Sequence, residues 1–296
     1  VLAVVGAVSF IVYCVAYPTR RPYVVTPESF SRISGRALKV TNETWTNRDG
    51  RNARGWLLRG GEGAPAIVLL HRYGGDRSWL FNLGVKINET TNFTILWPDL
   101  RGHGENPPIK WTSLGGREGD DLVDAVQFLR SLKSETQNTL VGDRLGVYGV
   151  ELGAYSALKG ARGNEQIKVL VLDSISRSPK ELLGTAVKDC VGLDNRLVQF
   201  LSQVAMRLFL VNSFDTSTAC DFAISIHDQR ILLLSGTEAG QLREATASLQ
   251  DCFNDSVTVE ARTDLPLSGF NLPSATGEQG EAYDRIVIDF FDRNLR

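Results

Sequence analysis

The residue best placed to do covalent chemistry in this chain is a carboxylate. In "GVYGVELGAYSAL" (146–158) an apolar run ends in Gly149, Val150, Glu151, Leu152 and Gly153, then passes into a small-residue helix. A strand–turn–helix with glycines on both sides of a central residue is the sharp bend that thrusts a nucleophilic serine outward. Here the central residue is Glu151. Acyl transfer needs an activated nucleophile, a base to take and return its proton, and donors for the developing oxyanion. A glutamate is already ionised and needs no base to attack. The ester it would form must still be cleared by activated water, which is ordinarily a histidine's task. The chain has three histidines, His71, His103 and His227, and none lies beyond 227.

The bend must be held by a sheet. Candidate strands are 39–45, 53–59, 66–70, 94–97, 145–149, 168–172, 230–235 and 256–261, with "NRDGRN" as a hairpin turn between the first two. The runs "AIVLL", "KVLVL" and "RILLL" are continuously apolar, as strands covered on both faces are. Helical spacing recurs in "REGDDLVDAVQFLRSL" and "GEAYDRIVIDFFDRNL" between and after them. This alternation predicts a mostly parallel α/β sheet. Residues 174–229 separate two strands and contain the apolar helical run "NRLVQFLSQVAMRLFLV", read as a lid-like helical insertion.

The loops carry a resemblance. "LLHRYGGDRSWL", "WPDLRGHGEN", "TSLGGREGDDLVDAVQFL", "GVYGVELGAYSAL" and "VLVLDSISRSPKEL" follow one another in the order of the α/β-hydrolase superfamily, from about residue 39 to the C-terminus. With its apolar N-terminus the chain resembles membrane-anchored esterase and lysophospholipase-like members. The resemblance implies an α/β-hydrolase fold of about eight strands. It also implies a triad in the order Ser, Asp or Glu, then His. The Ser position matches Glu151. The acid position, in "GTEAG", falls on Ala239 with Glu238 beside it. The His position, in "DLPLSGFNLPSA", falls on Phe270. The oxyanion loop maps to His71, to Arg72 where glycine is usual, and to Leu152 after the bend; Tyr73, His103 and Glu238 are further pocket candidates. Arg72 and Glu151 are expected to pair across the former active site, since a guanidinium grips a carboxylate through two hydrogen bonds. Asp99, Arg101, Asp120 and Asp173 are expected to order loops.

Composition narrows the rest. With 296 residues, 43% hydrophobic and 22% charged, the chain suits one large domain, and a net charge of −2 gives no footprint for nucleic acid. Residues 1–17 are uncharged and apolar, ending before Pro18 and the basic pair Arg20 and Arg21. They are expected to form a single-pass transmembrane anchor, with a cleaved signal segment as the alternative; residues 18–38 would be a tether and 39–296 the hydrolase-like domain. Membrane localisation follows, with its side open. Outside that segment Cys190, Cys220 and Cys252 are an odd number, read mainly as buried thiols with one disulfide as the alternative, and without metal-ligand spacing. Asn42, Asn88, Asn92 and Asn254 begin glycosylation sequons. No metal or cofactor is indicated, and the sequence names no protein partner for or against. The expected function is a membrane-tethered module that has lost serine-hydrolase catalysis and binds or scaffolds, with a small apolar or ester-like ligand for its pocket. The alternative is a divergent hydrolase acting on a small ester or lipid, through Glu151 or through residues outside the family pattern.

Overall fold

The computed structural model describes residues 2–193, 195–211, 213–271 and 277–296. In chain order its elements are α1 (Leu2–Ala16), α2 (Pro27–Ser34), β1 (Val40–Thr46), β2 (Asn52–Leu58), β3 (Ala64–Leu70), α3 (Phe81–Thr91), β4 (Thr94–Pro98), α4 (Glu118–Ser131) and β5 (Val141–Val150). Then come α5 (Leu152–Ala161), β6 (Ile167–Asp173), α6 (Pro179–Val191), α7 (Arg196–Phe209), α8 (Ala219–Ala223), β7 (Arg230–Gly236), α9 (Gln241–Leu249), β8 (Thr258–Leu265) and α10 (Gly277–Leu295). The eight strands form one sheet in the order β1-β2-β4-β3-β5-β6-β7-β8. The β1/β2 and β2/β4 pairs are antiparallel and the others parallel.

The burial of the central strands explains their sequence. One face of the sheet is covered by α4, α5 and α8, where Leu122, Val126, Leu158 and Phe222 meet Val68, Val147 and Leu170. The other face is covered by α3 and α10, where Phe81, Ile87, Val287 and Phe291 meet Leu69, Tyr148 and Val171. With no watery face, the central strands alternate nothing. By contrast β1 is an edge strand, largely exposed, and closes a hairpin through Asn47 N–H to Arg51 O at 2.8 Å.

The expected transmembrane helix is not found: the apolar segment forms α1, Leu2–Ala16. No helix among the described residues is long and apolar enough to cross a membrane. Instead Ile11, Val15 and Ala16 pack with Leu183, Ala186 and Val187 of α6, and with Met206 and Leu210 at α7, in a third apolar cluster. The Tyr73 hydroxyl donates to Val15 O at 2.8 Å and Thr112 N–H to Ala16 O at 2.9 Å. A disulfide joins Cys14 to Cys190. Thus α1 belongs to a helical cap built with the 174–229 insertion, and its apolar composition serves protein packing on that face. Residues 18–38, expected to be a tether, also lie on the domain. Tyr23, Val25, Phe30 and Leu38 pack on the α3/α10 side, and Thr26 caps α2 through a reciprocal pair with Ser29.

The cysteine expectation is corrected by the same packing. Setting Cys14 aside with the apolar segment left an odd count. With α1 folded back, all four cysteines pair, Cys14 with Cys190 and Cys220 with Cys252.

Candidate functional site

The strand β5 delivers its last residue, Val150, to the sheet's C-terminal edge, and α5 starts at Leu152. Between them Glu151 sits at φ 49°, ψ −104°, a left-handed conformation that costs a side chain of order 1–3 kcal/mol. Both flanking glycines are required by proximity. A Cβ on Gly149 would lie 2.4 Å from Gly153 O, and one on Gly153 would lie 2.3 Å from Leu70 O. The bend is stitched from both sides, by Glu151 N–H to Asp173 O at 3.0 Å and Tyr155 N–H to Glu151 O at 2.9 Å.

The Glu151 side chain is buried and turns toward the loop after β3, where Oε2 accepts the backbone N–H of Tyr73 at 3.0 Å. Burial pushes its pKa up to about 7; the Arg72 charge and the Tyr73 N–H oppose that rise, while the negative charges of Asp189 and Glu181 add to it.

The expected Glu151–Arg72 ion pair does not form: among the described residues no carboxylate oxygen lies within 4.0 Å of the Arg72 guanidinium. Arg72 instead lies against two rings, its Cζ 4.5 Å from the Trp79 centroid and 5.0 Å from that of Phe270. Its hydrogen bonding amounts to Nη1 to Tyr73 O at 3.4 Å, and its buried Nε has no acceptor among the described residues. Glu151, Arg72, Tyr73, Trp79, Phe270, Leu182 and Asp189 line a cavity of about 440 Å³, whose outer wall is residues 18–22, Cys14 and Cys190. That volume is in the range of small-molecule sites.

No family model matches the sequence, and no curated protein sequence matches it. Solved structures do match. An esterase of Pyrococcus furiosus superimposes with a TM-score of 0.67 at 18% identity, covering 95% of this chain and 99% of that one. The dienelactone hydrolase of Anabaena variabilis gives 0.56 at 14%, covering 88% and 99%. The 2,6-dihydroxy-pseudo-oxynicotine hydrolase gives 0.65 at 15%, covering 90% and 72%. This chain has the α/β-hydrolase fold.

In an α/β-hydrolase fold the loop after β3 and the residue after the bend supply the oxyanion amides. Tyr73 lies on the first, and its N–H is already taken by Glu151. Leu152 is the second and is fully buried at the start of α5. Ala239 follows β7, its N–H bonded to Gly236 O at 3.1 Å, but it lines a neighbouring groove with Arg177 and Lys180 rather than the Glu151 cavity. Phe270 does line the cavity, and its ring contacts the Arg72 guanidinium. The rest of that quoted stretch, from 272 on, lies outside the described residues.

Two pocket candidates are not part of the cavity wall. Glu238 is exposed and accepts from Asn271 Nδ2 at 3.3 Å. His103 is buried beneath Tyr73, its ring 5.5 Å from the Tyr73 ring and 5.2 Å from that of His71. His103 Nδ1 donates to Arg101 O at 2.9 Å, and burial pushes its pKa down to about 3. His71 donates from Nδ1 to Arg72 O at 2.8 Å and accepts Leu100 N–H on Nε2 at 3.0 Å, fixing a neutral tautomer whose pKa burial lowers to about 4. Both rings are loop-bracing groups.

The loop-ordering expectation fits most of its residues. Asp99 binds the Tyr23 hydroxyl at 2.7 Å and pairs with Arg54, and Arg101 pairs with Asp121. Asp120 contributes only charge, beside Arg48. Asp173 is fully buried; it accepts Gly269 N–H at 2.7 Å, the Ser174 hydroxyl at 2.7 Å and the Tyr283 hydroxyl, so it fixes the backbone next to Phe270. Burial pushes its pKa up to about 6. Sequence reasoning missed Trp79, Asp189 and the 18–22 segment as cavity wall. Nothing in their local pattern marks them, because each arrives from a different element.

Proposed function

We propose that this chain is a hydrolase-fold protein without serine-hydrolase catalysis that uses its vacated pocket to bind a ligand. One observation carries the reading: the Glu151 carboxylate lies 3.0 Å from the Tyr73 N–H, where a reacting carbonyl oxygen would need a donor. A carboxyl oxygen already rests on that amide, so the site is self-occupied. The absence of histidine beyond 227 supports the same conclusion, since a serine or an acyl-glutamate would both wait for a base. The burial of His103 beneath Tyr73 argues against its acting as a substitute.

The test is fluorophosphonate labelling together with turnover of an activated aryl ester, on the wild type, Glu151→Ala and Glu151→Ser. No labelling and only background hydrolysis are expected in all three. Labelling of the wild type that persists in Glu151→Ala and maps to another serine would overturn the proposal. So would turnover by Glu151→Ser well above background, because a base would then be present.

A further inference from the structure

We infer that the cavity beside Glu151 receives a small monocarboxylate with an apolar body, its carboxylate held by Arg72. The inference rests on the preceding reading that the pocket binds its ligand rather than turning it over.

The argument starts from the guanidinium. Arginine carries five N–H donors in a rigid plane and stays charged in proteins. In this cavity that plane makes one long hydrogen bond, from Nη1 to Tyr73 O at 3.4 Å; its Nε is buried out of reach, so the terminal Nη groups are the donors left for an anion. A partly buried cation with unfilled donors is costly until an anion completes it. The Trp79 and Phe270 rings both lie against the guanidinium and limit its rotamers, so less entropy is lost when it binds an anion.

The charge of the ligand follows from the rest of the wall. Arg20, Arg21 and Arg72 face the cavity, but so do Asp76, Glu151 and Asp189. Arg20 is already committed to Lys110 O at 3.0 Å. The field is therefore close to balanced, which suits a single planar negative charge and disfavours a phosphate dianion. Planarity matters because guanidinium and carboxylate match through two parallel hydrogen bonds. A neutral ester or amide is a weaker fit. Its carbonyl would look for the Tyr73 amide, and Glu151 holds that donor. The apolar body has Leu182, Ala186 and the two stacking rings to lie against.

Isothermal titration of the wild-type chain at pH 8 with phenylacetate and hexanoate, against phenylacetamide and hexanamide, tests the assignment. A charge-assisted bidentate contact predicts that each acid binds at least about tenfold more tightly than its amide. Arg72→Gln, checked for an unchanged unfolding transition, should erase that ratio. Arg262→Gln, on the exposed part of β8 outside the cavity, should keep it within about twofold. An independent reading comes from Trp79: the tryptophan fluorescence should change on carboxylate addition, and Trp79→Phe should remove that change. No binding of either acid up to about 10 mM, equal binding of acid and amide, or a ratio untouched in Arg72→Gln would each overturn the inference. Equal binding of acid and amide would leave the binding-module proposal standing. Turnover of an aryl hexanoate would instead remove that proposal, whatever the selectivity of Arg72.

Discussion

Replacing Glu151 by glutamine should stabilise the protein in mildly alkaline solution and leave it nearly unchanged in acid. The carboxyl is buried, and its pKa rises from 4.5 to about 7 on folding. Between those values the folded protein keeps a proton that the unfolded chain has released, so stability falls as pH rises. Below 4.5 both states are protonated and the penalty is absent. Above 7 both are ionised and it is complete, at about 3 kcal/mol for 1.36 kcal/mol per pH unit. Glutamine cannot ionise, and its Oε1 can still accept the Tyr73 N–H. Urea denaturation of wild type and Glu151→Gln at pH 4.5 and pH 8 should show a difference near zero in the first case. At pH 8 the variant should be more stable by up to about 3 kcal/mol. Asp121 and Asp173, both pushed up to about 6 by burial, titrate in the two proteins alike and cancel. A variant less stable than wild type at pH 8, or a difference independent of pH, would refute the assignment of a buried, reluctantly ionised carboxylate.

Three other outcomes are expected. Gly153→Ala should cost about 3 kcal/mol or more in urea unfolding, because its Cβ would fall 2.3 Å from Leu70 O and 2.7 Å from His71 O, backbone atoms that cannot swing aside. Glu118→Ala should destabilise by about 3–5 kcal/mol, since the fully buried carboxylate accepts from Thr112 Oγ1, Ser113 N–H and Oγ, and Gly115 N–H at 2.6–2.8 Å. Burial opposes ionisation there, but Arg101 and these donors outweigh it and hold the pKa below 4.5. The Glu118 contribution is therefore present above the unfolded pKa and lost as pH falls through the folded one, which an acid titration of the wild type against Glu118→Gln should reveal. Replacing Cys14 and Cys190 by serine should lower stability by about 2–4 kcal/mol, read as a shifted urea midpoint; an unmoved midpoint would show that the cap is not docked through α1.

The strands were legible because continuous apolar runs such as "AIVLL" and "KVLVL" have few other places to go. The bend was legible because Gly149 and Gly153 bracket a single residue at a strand end, and the close contacts at both glycines show why nothing larger stands there. The fate of α1 was not legible. An apolar helix has the same composition whether it faces lipid or the flank of α6, and only Cys14 hinted at a protein partner. Arg72 was placed on the correct loop but given the wrong neighbour. Opposite charges suggest a pair, yet its contacts are aromatic faces from a 3-10 turn and from the loop after β8, more than 190 residues apart.

Cys14 and Cys190 both line the cavity, so the covalent bond between α1 and α6 is part of the wall itself. A cover fastened in this way cannot lift off as one rigid flap about a distant hinge while the bond is intact. Under the binding proposal a ligand would enter without any such lifting, so its outline would be tested before its charge reached Arg72.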